Sequence, residues 1–65
     1  MDSRAILSVL LADGWREIRR RGSHVQLKHP TKSGLVTLPH PKRDLPLGTL
    51  RSIEKQAGLS LRKSR

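Results

Sequence analysis

The 65-residue sequence predicts an α+β domain in which two helices cover one face of a three-stranded antiparallel sheet, in the order α-β-β-β-α. Near each end of the chain, apolar residues recur at the three- and four-residue spacing of an amphipathic helix. Between these segments lie alternating apolar and polar residues and turn-forming residues, which is typical of strands joined by hairpins. Two short helices with one apolar stripe each bury both stripes best against the same sheet face.

The first helix is predicted over residues 3–12. Asp2 or Ser3 offers an N-cap, and Gly14 ends the helix. The apolar stripe that faces the sheet consists of Ile6, Leu7, Leu10 and Leu11.

Three strands are predicted to follow. The stretch WREIRRR (15–21) reads as a half-exposed strand with Ile18 facing inward between charged neighbours. HVQLKH (24–29) alternates strictly, so Val25 and Leu27 share one side. Turn-forming residues then precede LVTLP (35–39), which indicates that the second and third strands form a hairpin.

A loop and a second helix complete the predicted fold. The segment HPKRDLP (40–46) carries prolines, which cannot donate to a strand ladder, and is therefore predicted as a loop. The second helix is predicted over roughly 48–57, with Gly48 or Thr49 as its cap and Gly58 in the left-handed position after it. Its apolar stripe consists of Leu47, Leu50, Ile53 and Ala57.

The alternation of the strands predicts which side chains the helices leave uncovered. If Ile18, Val25 and Leu27 point inward with Val36 and Leu38, their neighbours point outward, apart from a register slip or bulge near Gly22. The predicted outward residues are Arg19, Arg21, His24, Gln26, Lys28 and Thr37. This face is basic, polar and carries one histidine.

Composition limits the function further. The formal charge is +14 − 5 = +9, which favours a polyanionic partner, nucleic acid before anionic membrane. A chain of this length forms one domain (1–65, with a basic tail at about 60–65) whose core is too thin for a large cofactor or a deep small-molecule cavity. With no cysteine, no membrane span and no signal peptide, the chain is expected to be cytoplasmic.

The residues available for catalysis are few. The five acidic residues are scattered, so metal-dependent hydrolysis is not expected, and His24 and His29 should face opposite sides of a strand rather than share a metal ion. RNA supplies its own 2′-hydroxyl nucleophile, so cleavage needs only an acid or base that titrates near neutrality, together with cations. A histidine among arginines meets that need, although a water-facing histidine is more often an ordinary surface residue.

Four motifs in a fixed order resemble the HicA toxins of bacterial type II toxin–antitoxin pairs, also called the YcfA-like family. They are Asp13-Gly14-Trp15, Gly22-Ser23-His24, HPTKSGLVTLPHP (29–41) and DLPLGTLRSIEKQAGL (44–59). The resemblance spans about residues 3–59 and implies a double-stranded-RNA-binding-domain-like fold. It also implies a metal-independent mRNA endoribonuclease that arrests translation.

The resemblance further implies roles for residues and partners. His24 would be the catalytic residue, and a HicB-type antitoxin would cover it, with DNA contacted only through the antitoxin. The strand alternation makes Arg19, Arg21, Gln26 and Lys28 candidate RNA contacts; Ser23 would either donate to a phosphate or serve a turn or bulge, and no cofactor or metal is expected. Many relatives read Gly-Ser-His-His, whereas Val25 follows His24 here, so His24 would act without a second histidine.

Three other residues have less specific interpretations. Trp15, the one aromatic residue, is expected in the core rather than as a platform for stacking bases. His29 is expected to make a structural hydrogen bond, and His40 would border either the RNA path or the antitoxin interface. The alternatives to an enzyme are a non-catalytic RNA-binding module and a protein-interaction subunit that docks an acidic partner.

Overall fold

The predicted element order is confirmed in a computed structural model, which describes residues 1–61. The strands pair antiparallel in the order β1-β2-β3. The elements are α1 (Ser3–Ala12), β1 (Arg16–Arg21), β2 (His24–Lys28), β3 (Val36–Pro39) and α2 (Leu47–Ala57). The predicted loop at 40–46 connects β3 to α2.

Residues with short polar side chains or special backbone geometry set the helix ends. Asp2 caps α1, because its Oδ1 accepts the Arg4 backbone N–H at 2.9 Å. Gly58 ends α2 in the left-handed conformation, as predicted, at φ 66°. The prediction that Gly48 or Thr49 caps α2 is wrong, since the helix begins directly after Pro46, which has no side-chain donor or acceptor to cap it.

The core lies between the helices and one face of the sheet. Trp15 is buried there, 1% exposed, which confirms its predicted place. Leu47 and Leu11, which were predicted in the helix stripes, are each 50% exposed; Leu45 from the preceding loop fills the core beside α2 instead. The buried cluster comprises Ile6, Leu10, Trp15, Val25, Leu27, Val36, Leu38, Leu45, Leu50, Ile53, Ala57 and Leu61.

The inward orientation predicted for Ile18 is wrong, because β1 contains a bulge there. Glu17 pairs with Leu27 and Arg19 pairs with Gln26, so Ile18 is the extra residue without a partner. Its side chain is 54% exposed, and all six residues of β1 are exposed. The helices therefore cover β2 and β3 and leave β1 exposed.

Leu61, which falls within the predicted basic tail, packs against the core. Leu61 is 1% exposed, and its backbone N–H donates to Glu54 Oε2 at 2.8 Å, so it belongs to the core. The remainder of the predicted tail, residues 62–65, lies outside the described residues.

Gly14 joins α1 to β1 in a conformation that excludes a side chain. Its φ is +105°, and an added Cβ would lie 2.8 Å from His29 Nε2. We expect Gly14→Ala to lower the free energy of unfolding by about 1–3 kcal/mol, because the backbone would be strained and the His29 ring would have to move. Urea denaturation followed by circular dichroism measures this loss.

Gly22→Ala is the matched control for that prediction. Gly22 also has positive φ, +54°, but an added Cβ there would meet nothing within 4 Å. Gly22→Ala should lower the free energy of unfolding by less, about 1 kcal/mol, because only the backbone preference is violated. Equal losses in the two variants would show that the contact with His29 is unimportant.

Candidate nucleic-acid interface

The face of the sheet that carries no helix gathers the predicted polar residues. Residues directly paired across an antiparallel ladder point to the same side, and the pairs Arg19↔Gln26, Arg21↔His24 and Gln26↔Thr37 link all three strands. We call this surface the open face; its polar residues are Arg16, Arg19, Arg21, His24, Gln26, Lys28 and Thr37.

The bulge leaves the predicted members of the open face in place and adds one. Arg19 and Arg21 lie after the bulge and keep the outward orientation that the alternation gave them. Arg16 lies before the bulge, pairs with Lys28 and therefore also faces outward, whereas strict alternation from Ile18 would place it inward. No local signal in REIRRR marks this residue, since only the register reveals the bulge.

A two-residue turn positions His24 at one end of the open face. Gly22 and Ser23 connect β1 to β2, with positive φ at Gly22 alone, which is the pattern of a type II′ hairpin turn. Ser23 is exposed, and its carbonyl oxygen accepts the His40 backbone N–H at 2.7 Å. The turn is thus anchored to the chain that leaves β3, and His24 directly follows it.

The surroundings of His24 are cationic and exposed to solvent. His24 is exposed, and Arg21 lies directly across the ladder from it. Within residues 1–61, no carboxylate pairs with Arg16, Arg19, Arg21 or Lys28; the one ion pair of β1 joins Arg20 to Glu17. The described residues therefore leave the positive charge of the open face without neutralising carboxylates, and this charge favours an anionic ligand beside the imidazole.

His29, by contrast, is held inside the fold. Its Nδ1 accepts the backbone N–H groups of Thr31 and Lys32, each at 3.1 Å, so Nε2 carries the proton and donates to the Asp13 carbonyl at 2.7 Å. The ring also meets Trp15 edge-on, with centroids 5.3 Å apart. The structural role predicted for His29 agrees with these contacts.

The Asp13 carboxylate is the centre of this network. Its Oδ2 accepts from Lys32 Nζ at 2.6 Å and from Trp15 Nε1 at 3.2 Å. The hydrogen bond from Lys32 holds the pKa of Asp13 below its ordinary value of 3.8. Lys32 Nζ also donates to the Ala57 carbonyl at 3.0 Å, so the network joins the ends of both helices to the β2–β3 loop.

A lowered carboxylate pKa predicts acid-sensitive stability. The charged form of Asp13 stabilises the fold fully above its unfolded-state pKa, and this contribution disappears as pH falls through the lower folded-state value. We therefore expect Asp13→Asn to lower the thermal midpoint at pH 7, with a deficit that shrinks as the pH falls below 3.8. Asp44→Asn, whose carboxylate is 92% exposed, is the control and should change little. A deficit that stays constant with pH would contradict the role of the charge.

His40 lies on the other side of the same end of the sheet. Its Nδ1 is 2.7 Å from Ser3 Oγ, and Ser3 is fully buried. The ring lines a cleft with residues of the loop that follows β3. His24, His29 and His40 therefore occupy three separate environments, and no group of three metal-ligating side chains exists within residues 1–61.

Neither helix in the described part of the chain has the length and apolarity that a bilayer crossing requires.

Comparisons with known proteins identify the family. The protein-family model described as "HicA toxin of bacterial toxin-antitoxin" matches residues 3–59 of this chain. No curated protein matches the chain significantly.

A solved structure described as the "HicA3 and HicB3 toxin-antitoxin complex" contains a similar chain. The two chains are 35% identical and superpose with a TM-score of 0.72, over 94% of this chain and 98% of that one. The double-stranded-RNA-binding-domain-like fold that the sequence resemblance implied is thereby confirmed. With a family model that covers most of its length and a structural match of this extent, the chain belongs to the HicA family of toxins from bacterial toxin–antitoxin pairs.

Proposed function

We propose that this chain is a metal-independent endoribonuclease that cuts mRNA and thereby arrests translation, with His24 as its catalytic residue. The observation that carries the proposal is the exposed His24 imidazole on a face whose cations have no carboxylate partners among residues 1–61. Membership of the HicA toxin family supports the same activity.

The proposed reaction uses the nucleophile that RNA contains. The 2′-oxygen attacks the adjacent phosphorus, a 2′-O–P bond forms, and the bond to the 5′-oxygen of the next nucleotide breaks. The 2′-hydroxyl loses a proton and the leaving oxygen gains one. His24 either takes the first proton or supplies the second, because imidazole is the side chain best suited to proton transfer near neutral pH.

The other residues of the open face would bind the RNA backbone. Arg21 lies opposite His24, and Arg19 lies one same-face position further along β1, roughly 7 Å away at the rise of a strand. Guanidinium groups donate in pairs to phosphate oxygens and stabilise the extra negative charge of the transition state. Gln26, Lys28 and Ser23 would extend this contact along β2 and its preceding turn.

A HicB-type antitoxin is the proposed inhibitor. The similar solved chain comes from a HicA3–HicB3 complex, and a partner that covers the open face would block His24 without disturbing the core. Any repression of DNA would then pass through the antitoxin, and this chain would contact DNA only indirectly.

The direct test uses RNA that differs only at the proposed nucleophile. The purified protein, in EDTA, is expected to cut a single-stranded RNA and to leave a 2′,3′-cyclic phosphate. The same RNA with 2′-deoxy nucleotides at the mapped cleavage sites should bind but remain intact. Mass spectrometry of the products measures both results.

The alternative is a non-catalytic RNA-binding module, which the basic open face also favours. This alternative gives salt-sensitive binding with intact RNA in both substrates. Cleavage that disappears in EDTA, or that continues at 2′-deoxy positions, would overturn the proposed mechanism.

A further inference from the structure

A basic cleft opens beside the N-terminus of α1, at the same end of the sheet as His24. Its volume is about 310 Å³. We call it the basic cleft; it is lined by Asp2, Arg4, His40, Pro41, Lys42 and Arg43. Three of these side chains are cationic, and the open face includes none of them.

Hydrogen bonds to buried Ser3 fix the shape of the basic cleft. Ser3 Oγ accepts the Lys42 backbone N–H at 2.8 Å, and the Ser3 N–H donates to the Lys42 carbonyl at 2.8 Å. The Ser3 hydroxyl hydrogen can then donate to His40 Nδ1, 2.7 Å away, which assigns the remaining ring proton to Nε2. The loop is therefore held by its backbone, and its side chains are free to bind a ligand.

The charges of the basic cleft are largely unsatisfied. Asp2 is occupied as the helix cap and lies 3.8 Å from Arg4, a loose and exposed pair. The Lys42 and Arg43 side chains make no ion pair or hydrogen bond within the described chain, and His40 Nε2 has no partner there. Cations and an N–H donor in one concave site match the oxygens of a phosphate.

The basic cleft is connected to the catalytic end of the sheet. Pro39 pairs with His24, and the next residue, His40, donates its backbone N–H to the Ser23 carbonyl. His24 faces the open side, whereas the ring of His40 contacts Ser3 of α1 on the opposite side. A ligand that reaches both must bend around the end of the sheet, which a single strand of RNA can do and a stiff duplex cannot.

We propose that the basic cleft is a second phosphate-binding subsite, which holds the backbone of single-stranded RNA next to the nucleotides at His24. This inference rests on the proposed ribonuclease function for its substrate. Lys42 and Arg43 bind the flanking phosphate, His40 donates from Nε2, and buried Ser3 positions the loop. These residues increase affinity for longer RNA and take no part in proton transfer.

The test compares two double variants that lose the same charge. Lys42→Gln with Arg43→Gln alters the basic cleft but keeps the backbone bonds to Ser3, whereas Arg51→Gln with Lys55→Gln removes two exposed cations of α2. Binding of a 12-nucleotide RNA that is 2′-O-methylated throughout, and so not cleavable, is measured by fluorescence anisotropy at several salt concentrations. Circular dichroism verifies that both variants fold.

The cleft variant is expected to raise the Kd about tenfold and to reduce the slope of log K against log salt by about 0.7, the value for one lost single-strand phosphate contact. With cleavable RNA, KM should rise by a similar factor while kcat stays within about twofold. The α2 variant should change the Kd by less than about twofold. Equal losses in the two variants would indicate bulk charge and overturn the subsite.

The failure of this inference differs from the failure of the proposed function. If the wild type cuts RNA but the cleft variant keeps its Kd and KM, the ribonuclease stands and the subsite is wrong. If no RNA is cut but the cleft variant alone loses affinity, the subsite stands and the catalytic proposal is wrong. A cleft variant that keeps its RNA affinity but loses binding to an acidic protein partner would also overturn the subsite, and would assign the cleft to that partner.

Discussion

Replacement of His24 by alanine or glutamine is expected to abolish detectable RNA cleavage and growth arrest. Proton transfer by a positioned side chain contributes roughly 10²–10⁴-fold to rate, and neither replacement titrates near neutral pH. The side chain is exposed at the end of β2, so the free energy of unfolding should change by no more than about 0.5 kcal/mol. Transcript-cleavage mapping after induced expression, together with kinetics on a purified RNA substrate, measures the effect.

Two controls separate catalysis from folding and from binding. Ser52→Ala changes an exposed polar side chain on α2 and should retain full activity. The His24 variants should still bind uncleavable RNA with a Kd within a few-fold of wild type, since the cations of the open face remain. A folded His24→Ala protein that cuts RNA at a rate near wild type would refute the catalytic assignment.

Trp15→Ala is expected to have the largest effect on stability. Truncation of a buried aromatic residue costs about 3–5 kcal/mol, and a domain of this size has a total stability of roughly 3–10 kcal/mol. Trp15 is 1% exposed, packs edge-on against His29 and donates to Asp13, so its loss also loosens the network that joins the helices to the β2–β3 loop. Thermal unfolding followed by far-UV circular dichroism should show a largely unfolded protein at 37 °C.

Ile18→Ala is the matched control, because it truncates a large apolar residue that the bulge turns outward. Its side chain is 54% exposed, and the expected change is within about 0.5 kcal/mol. A cost of 2 kcal/mol or more at Ile18 would mean that the strand faces inward there, as the alternation alone predicts, and that the bulge is absent.

The element order could be predicted because local signals agree with the global fold. Strict alternation around Val25 and Leu27 sets the central strand, and Gly58 ends α2 as a left-handed cap. The predictions that were wrong concern residues whose burial depends on tertiary packing. Ile18 and Leu47 have the right spacing but lie outside the shared core, while Leu61 packs into the core and its backbone N–H donates to Glu54.

In the candidate site too, the residues that alternation places could be predicted, whereas the residue that only the strand register places could not. The parity of β2 places His24 and Lys28 on one face, and Arg21, which pairs with His24, lies on that face as the alternation of β1 predicts. Arg16 could not be assigned, since a bulge changes parity without leaving a mark in the residue pattern. The basic cleft depends on contacts between residues 37 to 39 positions apart in sequence, which no local periodicity encodes.

The burial of the one tryptophan has a consequence for fluorescence spectroscopy. Trp15 is the only aromatic residue apart from histidine, and it is buried on the opposite side of the sheet from the open face. Intrinsic fluorescence therefore reports on one position in the core, without interference from tyrosine. Nucleic acid bound across the sheet should leave that emission almost unquenched, so refolding can be followed in the presence of substrate by a single native probe.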